Sequence, residues 1–316
     1  MIALRPATER LLERLPGRRA LWIALWALVP WLNAGLNVLL DTEGAVWEQS
    51  DVLIVLNIAA LSVAVVISLW GADRIARRLE GLRATIPSEP FRELNSLAAP
   101  VVATAATAVA LGAEAFFREG WTGALLRGAT WLVLGFALWT FLWTYGSLQL
   151  GLDRLGRERL LPATAAADPA LGLRPLGGVA FMGLWMLLAW LVPVVLTALP
   201  DLVGMAVGLA VLAAGLVTFF LSQLRLHRRM VEVKAEELAA ARGLYAQAYE
   251  PIRKGRTLAA LAEQHELLAA AYGLEQRAQA IHEWPVDHGL FARVATIATS
   301  VVAVIVARLI LDPLGL

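Results

Sequence analysis

A short polar stretch contains the side chains best suited to bind a metal ion or to transfer protons. Residues 282–288 read HEWPVDH, and His282, Asp287 and His288 within them are residue types that ligate zinc or relay protons. The rest of the chain supplies no clear partner for such a site, since it has only four His and no Cys. We therefore expect no metal ion and no cofactor.

The same stretch is better interpreted as the place where a helix enters a membrane. It separates a polar segment from the apolar run VATIATSVVAVIVARLI, residues 294–310. Trp284 suits the headgroup level of a bilayer, and Pro285 is tolerated in a first helical turn. Asp287 can accept hydrogen bonds from the exposed N–H groups of that turn. The start of a helix thus explains all three residues as a membrane-entry joint.

Three asparagines form a second candidate site inside apolar segments. Asn33 and Asn37 are four residues apart, so they share one face of a helix. Asn57 lies at a similar depth on the next apolar segment, which runs in the opposite direction. Such a cluster either joins helices by hydrogen bonds, at about 0.6 kcal/mol per contact, or lines a polar mouth on the outer side.

Two hydroxylated faces are candidates for the lining of a pore. Thr104, Thr107 and Glu114 share one face of the segment 97–117, where a carboxylate would attract cations. Thr296 and Ser300 belong to a stripe of small residues in the last apolar segment. Both faces have a structural alternative: close helix packing for the stripe, and a single interfacial Glu114 whose side chain extends toward the headgroups.

Several kinds of catalytic site are missing from the sequence. No Lys, Arg, Asp or His lies near the centre of an apolar segment, whereas proton-coupled carriers usually keep such a group there. A phosphate-binding loop, a zinc-binding helix and a serine elbow of the hydrolase type are absent from the sequence as well. We therefore expect that the protein is not an enzyme.

Composition indicates that a lipid bilayer surrounds most of these residues. Hydrophobic residues make up 59% of the 316 and charged residues only 17%, with a mean hydropathy of +0.66. A spanning helix needs about 20 apolar residues. Seven such segments occur, at 21–40, 52–70, 97–117, 129–148, 178–199, 202–221 and 290–310. The predicted fold is an all-α integral membrane protein with seven transmembrane helices.

Basic residues predict which way these helices cross the membrane. With seven spans, the Arg-rich connections all fall on one side, which the positive-inside rule assigns to the cytoplasm. The other side receives only Arg118 and Arg127 in its connections, beside acidic residues such as Asp41 and Glu43. Without the span at 97–117, Arg-rich connections would lie on both sides. We expect a bacterial-type inner (plasma) membrane, a cytoplasmic N-terminus and an extracytoplasmic C-terminus.

A long polar insert separates the last two apolar segments. Residues 223–283 have heptad-like spacing in two halves, with Leu224, Val231, Leu238 and Tyr245 on one side of the first half. Pro251 and Gly255 lie between the halves and break helices. The pattern predicts an antiparallel helical hairpin, the cytoplasmic hairpin, between helices 6 and 7. The expected division is 1–222 for six spans, 223–283 for the hairpin and 284–316 for the seventh span.

These features favour one functional hypothesis and leave two others open. The leading hypothesis is a homo-oligomeric, cation-preferring ion channel that is modulated through the cytoplasmic hairpin. The alternatives are a membrane-anchored sensor or scaffold that holds a cytosolic protein at 223–283, and a small-molecule transporter. The expected partners are the lipid bilayer and further copies of the chain. A net charge of +1 predicts no nucleic-acid partner.

Overall fold

The fold is entirely helical in the part of the chain that the structure describes. The computed structural model describes residues 6–39, 51–82, 89–157, 173–198, 202–253 and 258–284, with isolated helical positions at 292, 296, 299 and 303. Within these ranges there is no strand, and a 3-10 helix spans Glu89–Asn95. The α-helices are α1 Ala7–Arg14, α2 Arg19–Leu39, α3 Asp51–Gly81, α4 Ala98–Leu155, α5 Arg174–Ala198, α6 Leu202–Arg253 and α7 Leu258–Ala280.

Several of these helices match a membrane in length and composition. Five stretches are long and apolar enough to cross one: Arg19–Leu39, Ile54–Gly81, Glu89–Leu155, Pro175–Val194 and Gly208–Glu250. The prediction of an all-α membrane protein with transmembrane helices is therefore confirmed. The number of seven spans stays a prediction, because the last segment, 290–310, lies outside the described residues except at four positions.

The long helix α4 contains a point at which the chain folds back on itself. Gly120 has φ 76° and ψ −160°, which interrupts the helix at one residue. Across it, the indole N–H of Trp139 donates to the Thr107 hydroxyl at 2.9 Å, although 32 residues of straight helix would span about 48 Å. We name residues 98–119 the first arm of α4 and residues 121–155 the second arm. The predicted segments 97–117 and 129–148 fall on these two arms.

The helix α3 continues well beyond the apolar segment predicted at 52–70. By their spacing alone, Ile75 and Leu79 are expected on an amphipathic helix that lies along the headgroups. Instead they belong to α3 and are only 1% and 3% exposed. The expectation was wrong because helical spacing shows that an apolar face will be covered, but not whether lipid or protein covers it.

The chain divides into two compact units, and the first contains most of the apolar helices. It comprises residues 1–151, 179–219 and 289–316. Its buried hydrogen bonds join α3 to α5, and the second arm of α4 to α6. The Trp190 indole N–H donates to the Ser68 hydroxyl at 2.6 Å, and the Tyr145 hydroxyl donates to the Gly215 carbonyl at 2.7 Å. In hydrocarbon such polar groups need partners inside the protein.

Within the first unit, the short helix α1 is attached by a buried carboxylate. Glu9 is 3% exposed and forms a two-pronged ion pair with Arg19, whose guanidinium also donates to Asp73 at 3.0 Å. Burial raises the pKa of the Glu9 carboxyl, while the bonds from Arg19 act in the opposite direction. Arg19 therefore joins α1 to the beginning of α2 and to α3.

The second unit comprises residues 152–178 and 220–288 and includes most of the predicted hairpin. The sequence has no Gly or Pro between Thr218 and Ala241, which predicts that the sixth span continues into the hairpin. The structure confirms this, since α6 is one uninterrupted helix over Leu202–Arg253. Its buried face matches the predicted one in part: Leu224 and Val231 are exposed, whereas Ala241 and Ala248, which the spacing places on the same side, are buried. The buried positions also include Leu226, Met230 and Val233.

The spacing of the second half of the hairpin predicts one apolar face, and the structure buries only part of it. The predicted members are Leu267, Ala271, Leu274, Ala278 and Ile281, of which Ala271, Ala278 and Ile281 are buried. Ala271 and Ala278 are at most 2% exposed, whereas Leu267 is 44% and Leu274 is 36% exposed. Small side chains allow backbones to approach closely, so the leucines that flank them are left at the edge of the contact. Hydrophobic spacing alone does not distinguish the centre of such a face from its edge.

Candidate functional site: a polar pocket between α2 and α4

A polar pocket of about 210 Å³ lies between the C-terminal half of α2 and the two arms of α4. It is near the point where α4 reverses, so both arms contribute to its wall. The lining residues are Asn33, Asn37, Leu111, Glu119, Gly123, Arg127, Thr130 and Trp131. At about 30 Å³ for each water molecule, the pocket has room for about seven waters or for a small solute.

An ion pair forms the charged part of this pocket. The Arg127 guanidinium lies 2.9 Å from Glu119 Oε1, and the two side chains are 27% and 16% exposed. Glu119 ends the first arm and Arg127 lies on the second, so the pair bridges the reversal at Gly120. Gly123 makes this possible, because a Cβ at that position would collide with the Glu119 carboxylate. The absence of a side chain at Gly123 thus leaves the space that the Glu119 carboxylate occupies.

Amide and hydroxyl groups extend the pocket on its α2 side. The Thr130 hydroxyl donates to the Asn33 side-chain carbonyl at 2.8 Å, which links the second arm of α4 to α2. Asn37 is one turn further along α2 and lines the same pocket. Together with the ion pair, these groups offer donors and acceptors while the formal charges of Glu119 and Arg127 cancel. The arrangement is suited to a polar ligand that carries no net charge.

Of the three asparagines predicted to form a cluster, the structure brings two together. Asn33 and Asn37 both line the pocket. Asn57, on α3, is not among the lining residues, and its side-chain carbonyl oxygen is buried without a hydrogen bond within the described residues. The shared face of Asn33 and Asn37 follows from their spacing. A similar depth on α3 does not bring Asn57 to the pocket, although α2 and α3 pack against each other.

The threonines of the first α4 arm face the second arm. Thr104 is 4% exposed, and its hydroxyl donates to the Pro100 carbonyl at 2.7 Å. The Thr107 hydroxyl donates to the Ala103 carbonyl at 2.9 Å and accepts the Trp139 indole N–H. Both hydroxyls are therefore engaged inside this helix pair.

Glu114, the third pore-lining candidate on this arm, has a different environment. Its side chain is 42% exposed and pairs with Arg118 one turn away at 3.0 Å. It is thus accessible on the surface of a single chain, unlike the two threonines, and neither it nor they line the polar pocket described above.

The remaining candidates lie in or beside the last apolar segment. The Thr296 hydroxyl donates to the Ala292 carbonyl at 2.8 Å, while Ser300, Pro285 and Asp287 are outside the described residues.

Trp284 stacks on the imidazole of His227, with ring centroids 4.0 Å apart. The His227 Nδ1 atom is also 2.7 Å from the Glu283 carbonyl oxygen. The membrane-entry joint and the hydroxylated stripe stay predictions.

Sequence reasoning missed the charged half of the pocket. Glu119 and Arg127 were assigned to a connection outside the bilayer, because hydropathy falls after residue 117 and recovers only near 129. The chain reverses at one glycine, so both residues belong to helical arms. The available signal was the sequence REGWTGALLR at 118–127, in which Gly120 and the oppositely charged Glu119 and Arg127 are compatible with a tight turn between two helices.

No protein family, curated protein or solved structure matches this chain. The function therefore has to be argued from the chemistry of the pocket and of the helices that form it.

Proposed function

We propose that this protein is a membrane transport protein that recognises a small polar solute in the pocket between α2 and α4. The observation that carries the proposal is the Glu119–Arg127 ion pair, which lines this pocket among apolar helices. Convergent polar and charged groups in a pocket with some apolar wall are typical of a site that binds a small molecule. An ion pair is also weak as a purely structural device, because desolvation offsets much of its attraction.

The charges of the pocket indicate the chemical class of the solute. A carboxylate and a guanidinium side by side complement a molecule that carries both an ammonium and a carboxylate group, or an uncharged molecule with several hydroxyl or amide groups. The two asparagines and Thr130 can complete its hydrogen bonds, and Trp131 and Leu111 provide apolar wall. We propose a small zwitterionic or neutral polar solute of a size that displaces a few waters.

We expect saturable uptake of such a solute by proteoliposomes that contain the purified full chain. Radiolabelled glycine, alanine and betaine are suitable zwitterionic probes, with glutamate and lysine as matched probes of net charge. A rate that saturates for the zwitterions and exceeds that of protein-free liposomes supports the proposal. If uptake of the zwitterions rises only linearly with concentration, or if folded protein does not exceed the empty liposomes, solute transport through this pocket is contradicted.

A homo-oligomeric, cation-preferring channel is the second candidate, and the exposure of Glu114 favours it. In an oligomer, carboxylates from several first arms of α4 would form an acidic ring that concentrates cations. The same proteoliposomes fused to a planar bilayer separate the two candidates. Unitary currents whose cation preference changes in Glu114→Gln would support the channel, whereas electrically silent, saturable uptake would support the solute carrier.

We further propose that α6 and α7 form the cytoplasmic hairpin. The contacts of the second unit support an antiparallel pairing, since His227 lies against Trp284 while Tyr245, further along α6, interacts with Glu275, further back along α7. Partial burial and the Glu275 carboxylate raise the pKa of the Tyr245 hydroxyl. Lys234 adds an ion pair to Glu283 at 3.1 Å.

Reporter fusions test the proposed orientation in the inner membrane. With seven spans and a cytoplasmic N-terminus, alkaline phosphatase fused after Leu316 is expected to be active, because this enzyme folds only outside the cytoplasm. A green fluorescent protein inserted between α6 and α7, at residue 255, is expected to fluoresce, whereas alkaline phosphatase inserted at the same position is expected to be inactive. An inactive phosphatase together with a fluorescent C-terminal fusion would contradict seven spans in this orientation.

A further inference from the structure

A second groove, of about 420 Å³, lies in the first unit and is separate from the polar pocket. One end is formed by α1, and the rest runs along α2 and both arms of α4. The lining residues are Ala7, Arg10, Leu11, Arg14, Trp26, Leu97, Val101, Leu132, Val133 and Phe136. The groove is thus basic at one end and apolar along the remainder.

The geometry of α1 places its two arginines in this groove. At 100° per residue, Ala7, Arg10, Leu11 and Arg14 share one face of the helix. The opposite face carries Thr8, Glu9 and Leu12, which are buried. Because the Glu9–Arg19 ion pair attaches that opposite face to the bundle, the rotation of α1 is set. Arg10 and Arg14 are one turn apart, with Cβ atoms about 6 Å from each other, a separation that one phosphate group can bridge.

Neither arginine is neutralised within the described residues. The nearby ion pairs join Arg19 to Glu9 and Asp73, and Arg77 to Asp73. No carboxylate of the described residues forms an ion pair with Arg10 or Arg14. The basic end of the groove therefore carries a formal charge of about +2 from these two arginines.

The apolar part continues directly from the basic end. Trp26 and Phe136 stack with ring centroids 6.1 Å apart and belong to its lining. Leu97, Val101 and Leu132 are 41%, 44% and 52% exposed along it. A soluble anion would use only the basic end, whereas a lipid matches both the basic and the apolar lining of the groove.

We propose that this groove binds an anionic phospholipid, with its phosphate between Arg10 and Arg14 and one acyl chain along Trp26, Phe136 and Leu132. Clusters of basic side chains next to transmembrane helices attract anionic headgroups. The arginines provide bidentate donors that match phosphate oxygens. The bound lipid completes the surface between α1 and α4 that the single chain leaves open.

Native mass spectrometry of the full chain in neutral detergent tests this proposal. We compare phosphatidylglycerol with phosphatidylcholine of identical acyl chains, and expect a clear preference for the anionic lipid. The double variant Arg10→Gln/Arg14→Gln is expected to lose about thirtyfold in affinity for phosphatidylglycerol, or about fivefold for each arginine near an anionic surface. Affinity for phosphatidylcholine should stay unchanged.

Two control variants separate this site from a general effect of charge or folding. Arg74→Gln/Arg92→Gln removes the same charge from exposed positions outside the groove and should keep the preference. Arg10→Lys/Arg14→Lys keeps both positive charges and should also keep most of it, which would identify charge as the property whose loss weakens binding in the glutamine variant. Equal losses in the Arg74/Arg92 variant, or no loss in the Arg10/Arg14 glutamine variant, would overturn the proposal.

Glycerol 3-phosphate distinguishes a lipid from a soluble phosphate. It carries the phosphate without acyl chains, so it is expected to compete for the site at least a hundredfold more weakly than phosphatidylglycerol, given about 0.8 kcal/mol for each buried CH₂ group. Competition at comparable concentrations would mean that the apolar part of the groove contributes nothing, and the lipid would be the wrong occupant.

Discussion

Replacement of Gly120 by alanine is expected to lower the free energy of unfolding by about 1–3 kcal/mol, the cost of holding a non-glycine residue in this region of backbone space. Gly120 has φ 76° and ψ −160°, and no atom lies within 4 Å of an added Cβ. The effect is therefore one of backbone conformation rather than of a clash. It weakens the reversal that brings the two arms of α4 together. Thermal unfolding in detergent, followed by near-ultraviolet circular dichroism, measures it.

Gly146→Ala is the matched control for this substitution. Gly146 lies on the second arm of α4, and an added Cβ there also meets nothing within 4 Å. Its conformation is helical, so alanine is expected to be neutral or to stabilise by up to about 1 kcal/mol. Equal unfolding midpoints for the two alanine variants would show that the reversal of α4 does not depend on a left-handed glycine.

Neutralising one member of the Glu119–Arg127 pair is expected to abolish solute recognition and to destabilise the fold. Arg127→Gln leaves a carboxylate that is only 16% exposed without its cation. Loss of one partner from a fully buried pair costs about 3–5 kcal/mol, and partial exposure of Arg127 reduces this to about 1–3 kcal/mol here. Solute uptake and thermal unfolding of the same preparation provide both measurements.

The double variant Glu119→Gln/Arg127→Gln distinguishes recognition from stability. It removes both charges, so no unpaired charge is left, and the unfolding midpoint should recover toward that of the native protein. Uptake of zwitterions should stay lost, because the complementary charges are gone. Normal uptake by this double variant would contradict the assignment of the pocket as the recognition site, whatever happens to stability.

Glu114→Gln/Arg118→Gln is the matched control for the pocket variants. This pair belongs to the same arm of α4 but is 42% and 70% exposed, so its removal should change the free energy of unfolding by no more than about 0.5 kcal/mol. Solute uptake should be unaffected. A loss of uptake in this control, with the pocket variant unaffected, would favour the channel over the solute carrier.

The features that the sequence predicted well are those set by hydrocarbon as the solvent. Apolar segments of about 20 residues have few alternatives to a helix in lipid, and the continuity of α6 followed from the absence of Gly and Pro between Thr218 and Ala241. Asn33 and Asn37 were placed on one face by helical geometry alone. These inferences depend on neighbours along one helix.

The features that could not be predicted from the sequence depend on contacts between helices. Ile75 and Leu79 showed an apolar face without indicating that protein rather than headgroups would cover it. Glu119 and Arg127 fell in a stretch where hydropathy is low, and only the reversal at Gly120 makes them neighbours. Hydropathy reports the average surroundings of a segment, whereas a pocket depends on which side chains of separate helices meet.

The attachment of α1 sets the order in which this part of the molecule can assemble. Arg19 binds Glu9 on α1 and Asp73 on α3 at the same time, yet α1 precedes α3 in the chain. During synthesis the contacts of α1 with α3 can therefore form only after the ribosome has completed α3 and that helix has inserted. Until then the amphipathic α1 can lie at the surface of the membrane, held to the start of α2 by the Glu9–Arg19 pair, so its docking is completed only after α3 has inserted.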